Sequence, residues 1–215
     1  MLEVENLSCT RGDRVLFSGL FMTLEPGRLL HVTGRNGSGK TTLLRTLCGL
    51  TRPASGTVRW QGQPINALGE AYHAELAYVA HLNGIQGELT PVENLRLGDA
   101  SHQSVSPELA TQALDRLGLA SCRGLPAKTL SEGQKRRLAL ARVLLNRKPL
   151  WILDEPFSAL DVESCGIVTA MIRAHVQDGG LVAITSHIDL TLNSSRIIKV
   201  ALGAQAPVSN GNETA

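Results

Sequence analysis

The chain has 215 residues, 43% of them hydrophobic and 19% charged, with a formal net charge of +2. That is enough apolar material for one globular domain and too much for a disordered chain. A near-neutral balance and an aromatic content of 3% argue against nucleic-acid binding, which calls for a basic face or stacking rings.

Residues 2–7 alternate apolar and acidic and predict a half-buried edge strand. Arg11-Gly12-Asp13-Arg14 reads as a turn, and residues 15–17 and 20–24 as two further strands. Glu25-Pro26-Gly27 turns the chain into residues 29–33, a short apolar run that predicts a buried strand. Residues 42–48 predict a helix with Leu43, Leu44 and Leu47 on one face. After a glycine-bounded break, residues 57–60 return as a strand and Gly62-Gln63-Pro64 turns again. Residues 76–80 predict a buried strand ending at His81, and 82–89 a glycine-bearing loop. From Thr90 to about Leu145 the pattern is mainly helical. Thr90-Pro91 and Ser106-Pro107 are helix starts, the second opening a helix with Leu109, Ala113, Leu114 and Leu117 that stops at Gly118. Residues 150–153 form a continuous apolar strand. Asp161 caps a helix bearing Ile167, Val168, Met171 and Ile172. Residues 181–185 and 197–200 predict the last strands, and from about residue 203 the chain is small, polar and expected to fray. Strands alternating with helices indicate an α/β fold with a largely parallel sheet. No run approaches the roughly 18 apolar residues of a membrane span, and the N-terminus has no signal-peptide pattern, so a cytosolic protein is expected. Cys9, Cys48, Cys122 and Cys165 are scattered, without C-x-x-C or C-x-x-C-H, so neither a disulfide framework nor covalent haem attachment is expected.

Chemistry concentrates in a few stretches. Gly34-Arg35-Asn36-Gly37-Ser38-Gly39-Lys40-Thr41-Thr42 fits G-x-x-x-x-G-K-[ST], with a strand before it and a helix after it. Glycines let successive N–H groups turn toward an anion, and the helix start adds its positive dipole end. Lys40 would reach the β- and γ-phosphates of ATP, and Thr41 would offer its hydroxyl to Mg²⁺. Asp154 and Glu155 end an apolar strand. Alone they read as a turn cap. Beside a phosphate loop, Asp154 suits Mg²⁺ and Glu155 suits orienting or deprotonating a water. Leu130-Ser131-Glu132-Gly133-Gln134 carries a capping box, Ser131 with Gln134, ahead of a helix from Lys135 to about Leu145. That helix start is also a second ready-made phosphate site. The basic run Lys135-Arg136-Arg137, with Arg142 and Arg147-Lys148, reads as the solvated side of this helix rather than a nucleic-acid patch.

These stretches resemble, in order, the motifs of the ATP-binding-cassette (ABC) ATPases. Gly34 to Thr42 resembles the Walker A loop, Leu130 to Gln134 the signature, and residues 150–156 the Walker B strand. Ser158, Ala159, Leu160 and Asp161 resemble the D-loop, and His187 the H-loop histidine. The resemblance covers roughly residues 1–200. It implies a P-loop cassette spanning 1–202, with a mostly parallel sheet core, an N-terminal antiparallel β subdomain and a helical signature subdomain at about 82–145. A flexible tail follows at 203–215. It further implies a homodimer in which each ATP lies between one Walker A loop and the other copy's signature, with His187 on the γ-phosphate. Two positions depart from the family pattern. Arg11 stands where an aromatic ring usually stacks on adenine, and His81 where the Q-loop usually carries glutamine. A guanidinium plane still stacks on a base, and an imidazole still bridges to water, with possible pH sensitivity. Read blandly, both are ordinary turn and loop residues.

Together with residues 9–17 and 60–65 and the short chain, these departures resemble the ATP-binding subunits of bacterial cytochrome c maturation (haem export) systems. That resemblance implies a peripheral protein on the cytoplasmic face of the inner membrane. Its implied partners are CcmB, CcmC and CcmD, with ATP-driven release of the haem-loaded chaperone CcmE and haem as indirect cargo. The ATPase of another ABC importer or exporter, or a soluble P-loop phosphotransferase, are the rival readings.

Overall fold

The structure is a computed structural model that describes residues 1–97, 105–145, 148–188 and 193–203. β1 (Leu2–Arg11) and β2 (Arg14–Leu24) form a hairpin, and β3 (Leu29–Gly34) leads into α1 (Lys40–Leu47). β4 (Ser55–Trp60), the two-residue β5 (Gln63–Pro64), α2 (Ile65–Leu68), α3 (Glu70–Glu75) and β6 (Leu76–Val79) follow. α4 (Pro91–Leu97), α5 (Pro107–Arg116) and α6 (Glu132–Leu145) form a helical block. β7 (Leu150–Asp154), α7 (Val162–Gln177), β8 (Leu181–Thr185) and β9 (Ile197–Leu202) come last.

Two sheets result. The first is antiparallel, in the order β2-β1-β4-β5. The second is parallel throughout, in the order β6-β7-β8-β3-β9. Its central strands β7 and β8 are buried at every residue, as a sheet covered on both faces requires. Alternation divides them between two cores. Trp151, Leu153, Val182 and Ile184 pack with the helical block and α7, whereas Leu150, Ile152, Leu181 and Ala183 pack with α1 and the antiparallel sheet. Because the strands run in one direction, Gly34, Val79, Asp154 and Thr185 all end on one edge, the edge where such sheets bind ligands.

The expected α/β class and parallel core are present. Several details differ from the sequence expectation. β1 is an inner strand paired on both sides, not an edge, because β4 returns to cover it. Residues 14–24 form one strand rather than two, with irregular register where β1 opposes it. β6 is half-buried rather than buried, because it is the edge of the parallel sheet. Leu109 is exposed, and Ala110, Ala113 and Leu114 form the inner face of α5. The helix after Ser131 begins at Glu132, so three residues of the 130–134 stretch lie in its first turn. Both predicted helix starts hold. Thr90 and Glu93 cap each other reciprocally, and Ser106 accepts from the Leu109 N–H at 3.3 Å. The four thiols are free, as expected. The tail expected at 203–215 lies, beyond Gly203, outside the described residues.

At the opposite edge of the sheet from the strand ends, the His175 ring stacks on Trp151, with centroids 3.7 Å apart and planes 4° apart. Its Nε2 lies 3.3 Å from the Pro149 carbonyl. Burial holds the imidazole pKa below its ordinary value, against smaller upward pulls from backbone bonds with Pro149 and Leu181 and from Asp178. The unfolded chain therefore binds this proton more readily. The stability contributed by the neutral ring is complete above an unfolded pKa of about 6.5 and is lost as pH falls through the lower folded value. His175→Phe keeps a ring on Trp151 and has no proton to gain. Its urea midpoint is expected to fall less than the parent's between about pH 7 and about pH 5.

Candidate functional site

The phosphate loop is the turn from β3 into α1. Ser38 N–H donates to Arg35 O at 3.1 Å, closing the loop. Lys40 Nζ donates to Gly34 O at 2.8 Å, with a longer contact to Arg35 O at 3.5 Å, so the ammonium lies across the loop. Gly39 has a φ of 100°. A Cβ there would sit 3.0 Å from Leu16 Cβ and 3.2 Å from Phe17 Cδ1. Glycine is therefore required twice over, by backbone conformation and by the approach of β2. The Ser38 hydroxyl is buried without a partner among the described residues.

The acidic pair comes from β7. Asp154 is 1% exposed. Its Oδ1 accepts from Thr185 Oγ1 at 2.6 Å, and its Oδ2 is buried with no partner among the described residues. Glu155 has left-handed backbone, φ 51°, which is uncommon for a residue with a side chain and costs about 1–3 kcal/mol. Its N–H is held by Thr185, at 2.9 Å to Oγ1 and 3.2 Å to the carbonyl. The kink turns the carboxylate out of the sheet, where Oε1 lies 3.4 Å from His187 Nε2. His187 follows Ser186, whose carbonyl lies 3.0 Å from Nε2 of the buried His31.

A cavity of about 430 Å³ lies between these groups and the β1–β2 hairpin. It is lined by Arg11, Asn36, Gly37, Gly39, Lys40, Thr41, Thr42, His81 and Glu155, together with Arg14 and Leu16. Thus residues expected to bind nucleotide, the candidate water-orienting carboxylate and His81 share one space. The chemistry of the donors suits Mg·ATP. An ammonium and a glycine loop face one wall, and an unpartnered buried carboxylate oxygen and the Thr41 hydroxyl are available to a hard cation.

The 130–134 stretch does not line this cavity. Ser131 N–H donates to Gln134 Oε1 at 2.8 Å, and Gln134 N–H to Ser131 Oγ at 3.2 Å, so the capping box is formed. Gly133 packs on the expected D-loop: a Cβ there would come within 2.6 Å of Ala159 O. Within that loop Ala159 has φ 62°, and Asp161 caps α7 by accepting from Ser164 N–H at 2.8 Å. The 130–134 stretch and the D-loop therefore form one surface, apart from the phosphate loop of the same chain.

The basic run is not a solvated face. Arg136 is 2% exposed. Arg137 Nη1 donates to Leu117 O at 3.0 Å, and Arg142 Nη2 to Gly84 O at 2.8 Å. These guanidinium groups satisfy backbone carbonyls around α6 instead of facing water. A larger cavity of about 780 Å³ lies beside them, lined by His81, Leu82, Asn83, Lys128, Glu132, Arg136, Ser158 and neighbours. It contains no phosphate-loop residue, so size alone does not mark the chemical site.

Sequence reasoning missed Arg14, Thr185, His31 and Arg136. A two-residue hairpin loop at Gly12-Asp13 was the signal for Arg14, since it places Arg11 opposite Arg14. Arg136 shares the helical spacing of the buried Ala139, Leu140 and Val143. His31 and Thr185 are single polar residues in apolar strands, and nothing local marks their partners.

Comparison with known proteins gives a family model described as ABC transporter, which matches residues 17–158. A relative from Nitrosococcus oceani, named cytochrome c biogenesis ATP-binding export protein CcmA, is 47% identical over 93% of this chain and 92% of its own. A protein of the same name from Methylococcus capsulatus is 50% identical over 85% of this chain and 89% of its own. Among solved structures, a putative ABC transporter ATP-binding protein from Pyrococcus furiosus superposes with a TM-score of 0.81 at 25% identity, over 94% of this chain and 96% of its own.

Gly39→Ala places a methyl group against β2 on disfavoured backbone. At about 1–3 kcal/mol of strain, it is expected to weaken Mg·ATP affinity by roughly tenfold or more, as read by titration calorimetry.

Proposed function

Because the chain belongs to the ABC transporter ATP-binding family, we propose that it is the ATP-hydrolysing motor subunit of a cytochrome c biogenesis export system. The observation that carries the reading is the shared cavity of about 430 Å³ lined by Lys40, Thr41 and Glu155, the last of which directly follows Asp154, whose buried Oδ2 has no partner among the described residues. Lys40 and the loop amides hold the triphosphate. Asp154 and Thr41 hold Mg²⁺, which when bound neutralises phosphate charge. Glu155 orients a water and takes its proton as the water oxygen bonds to the γ-phosphorus and the bond to the β-phosphate oxygen breaks. His187, 3.4 Å from Glu155, contacts the γ-phosphate. Arg11 stacks on the base.

The second half of the site comes from another copy. Ser131 and Gly133 stand at a helix N-terminus that does not face the cavity of its own chain. A head-to-tail homodimer brings that anion-binding end to the partner's nucleotide. ATP then closes the dimer, and hydrolysis opens it. The groove beside His81, with Leu82 82% exposed, receives a membrane subunit. No helix among the described residues is long and apolar enough to cross a membrane; in this reading force passes to other chains. The relatives' printed names, cytochrome c biogenesis ATP-binding export protein, support that kind of system as the setting; in this reading the membrane chains are CcmB, CcmC and CcmD, with release of CcmE and haem downstream, at the cytoplasmic face of the inner membrane.

Glu155→Gln is expected to retain Mg·ATP binding while turnover falls by about 10²–10⁴-fold. Lys40→Ala is expected to lose affinity instead. Phosphate release and nucleotide titration separate the two. Unimpaired turnover in Glu155→Gln removes Glu155 from its role, and normal affinity in Lys40→Ala contradicts the phosphate-loop assignment.

A further inference from the structure

Arg136 stands on α6, one turn past Ser131 and Glu132, and its guanidinium meets two other segments at once. Nη1 donates to Ala80 O at 2.7 Å and Asn83 Oδ1 at 3.0 Å, with a longer contact to His81 O at 3.5 Å. Nη2 donates to Asp154 O. One planar cation thus joins the signature helix, the exit of β6 and the last residue of β7. Only a forked group does this, since a lysine ammonium is a single point of charge. Burial draws the guanidinium pKa down, and the Asp154 and Glu155 carboxylates push it back up.

The Asp154 carbonyl belongs to the peptide whose nitrogen is that of Glu155. The Arg136 bond therefore fixes the plane from which Glu155 departs with its left-handed φ. On the other side, Asn83 and Arg136 itself line the groove of about 780 Å³, and His81 lines both that groove and the phosphate-loop cavity. A displacement of Asn83 draws the guanidinium with it or leaves one Nη1 hydrogen with only the long contact to the His81 carbonyl, the costlier outcome in a low dielectric.

We propose that Arg136 is a positioning residue for hydrolysis, which aims Glu155 through the Asp154–Glu155 peptide and passes movement of residues 80–83 to it. This rests on the ATPase reading above. The hydrogen bonds of Arg136 go to residues 80–83 and the Asp154 carbonyl and none goes to the glycine loop or Lys40, so its loss is expected to act on turnover rather than on nucleotide affinity.

The test uses the full chain, with Mg·ATP for turnover and a non-hydrolysable ATP analogue with Mg²⁺ for affinity. Arg136→Gln is expected to lower kcat roughly ten- to a hundredfold, as a misplacement of about 1 Å does, with analogue Kd within about threefold of the parent. Arg136→Lys keeps the charge without the fork and shows the same split. Asn83→Ala removes one groove-side partner and lowers kcat about threefold, again without a change in Kd. Arg137→Gln breaks the neighbouring ties to Leu117 and Gly118. It is expected to lower the melting temperature while kcat per folded molecule stays within about twofold. If Arg136→Gln does not fold, Arg136→Lys and Asn83→Ala decide. Parent-like kcat in the folded variants overturns the proposal. So does a kcat that falls only together with analogue affinity. A parent chain that binds no analogue overturns the ATPase reading instead, a result none of these variants imitates.

Discussion

An acid at the end of an apolar strand, 1% exposed, is the constraint that the surrounding structure answers. Burying an unpaired carboxylate costs several kcal/mol, so every neighbour of Asp154 bears on that cost. Thr185 gives its hydroxyl to Oδ1, Arg136 brings a buried positive charge to the same strand end, and Oδ2 has no partner among the described residues. The same Thr185 also holds the Glu155 N–H. One threonine therefore sets both carboxylates, one inward and one outward.

That arrangement depends on parallel register. Asp154 lies opposite Thr185, and Val32 lies opposite Thr185 on its other side. The phosphate loop begins two residues after Val32, at the end of β3. A slip of one residue would send Asp154 to the other face of the sheet. The two-sided burial of β7 and β8 specifies the register strongly, because each slipped state would exchange residues between two differently shaped cores.

The helical block is joined to this edge by arginines. Arg136, Arg137 and Arg142 each donate to backbone carbonyls that no regular element satisfies. Hydrogen bonds to charged groups contribute about 1.5–3 kcal/mol each and are directional, so they fix orientation as apolar packing does not. The outcome is that the capped N-terminus of α6 is held in place while residues 130–134 stay outside the lining of the phosphate-loop cavity.

The sequence by itself determined the elements whose signals are local. The glycine loop with its flanking strand and helix, the capping boxes at Thr90 and Ser131, and the apolar runs of β7 and β8 all depend on neighbours a few residues apart. So does the order of motifs that points to the family. Tertiary structure alone decided what those elements face. β1 became an inner strand because β4, some 50 residues later, returned to it. Arg136 and Arg142 read as solvated because charge is a local property, whereas the Ala80 and Gly84 carbonyls they satisfy lie more than 50 residues away. His31 and Thr185 acquired roles only when parallel pairing brought distant strand ends to one edge. Periodicity records which face a residue is on. It does not record which distant polar atom waits there, and that pairing sets the geometry of this site.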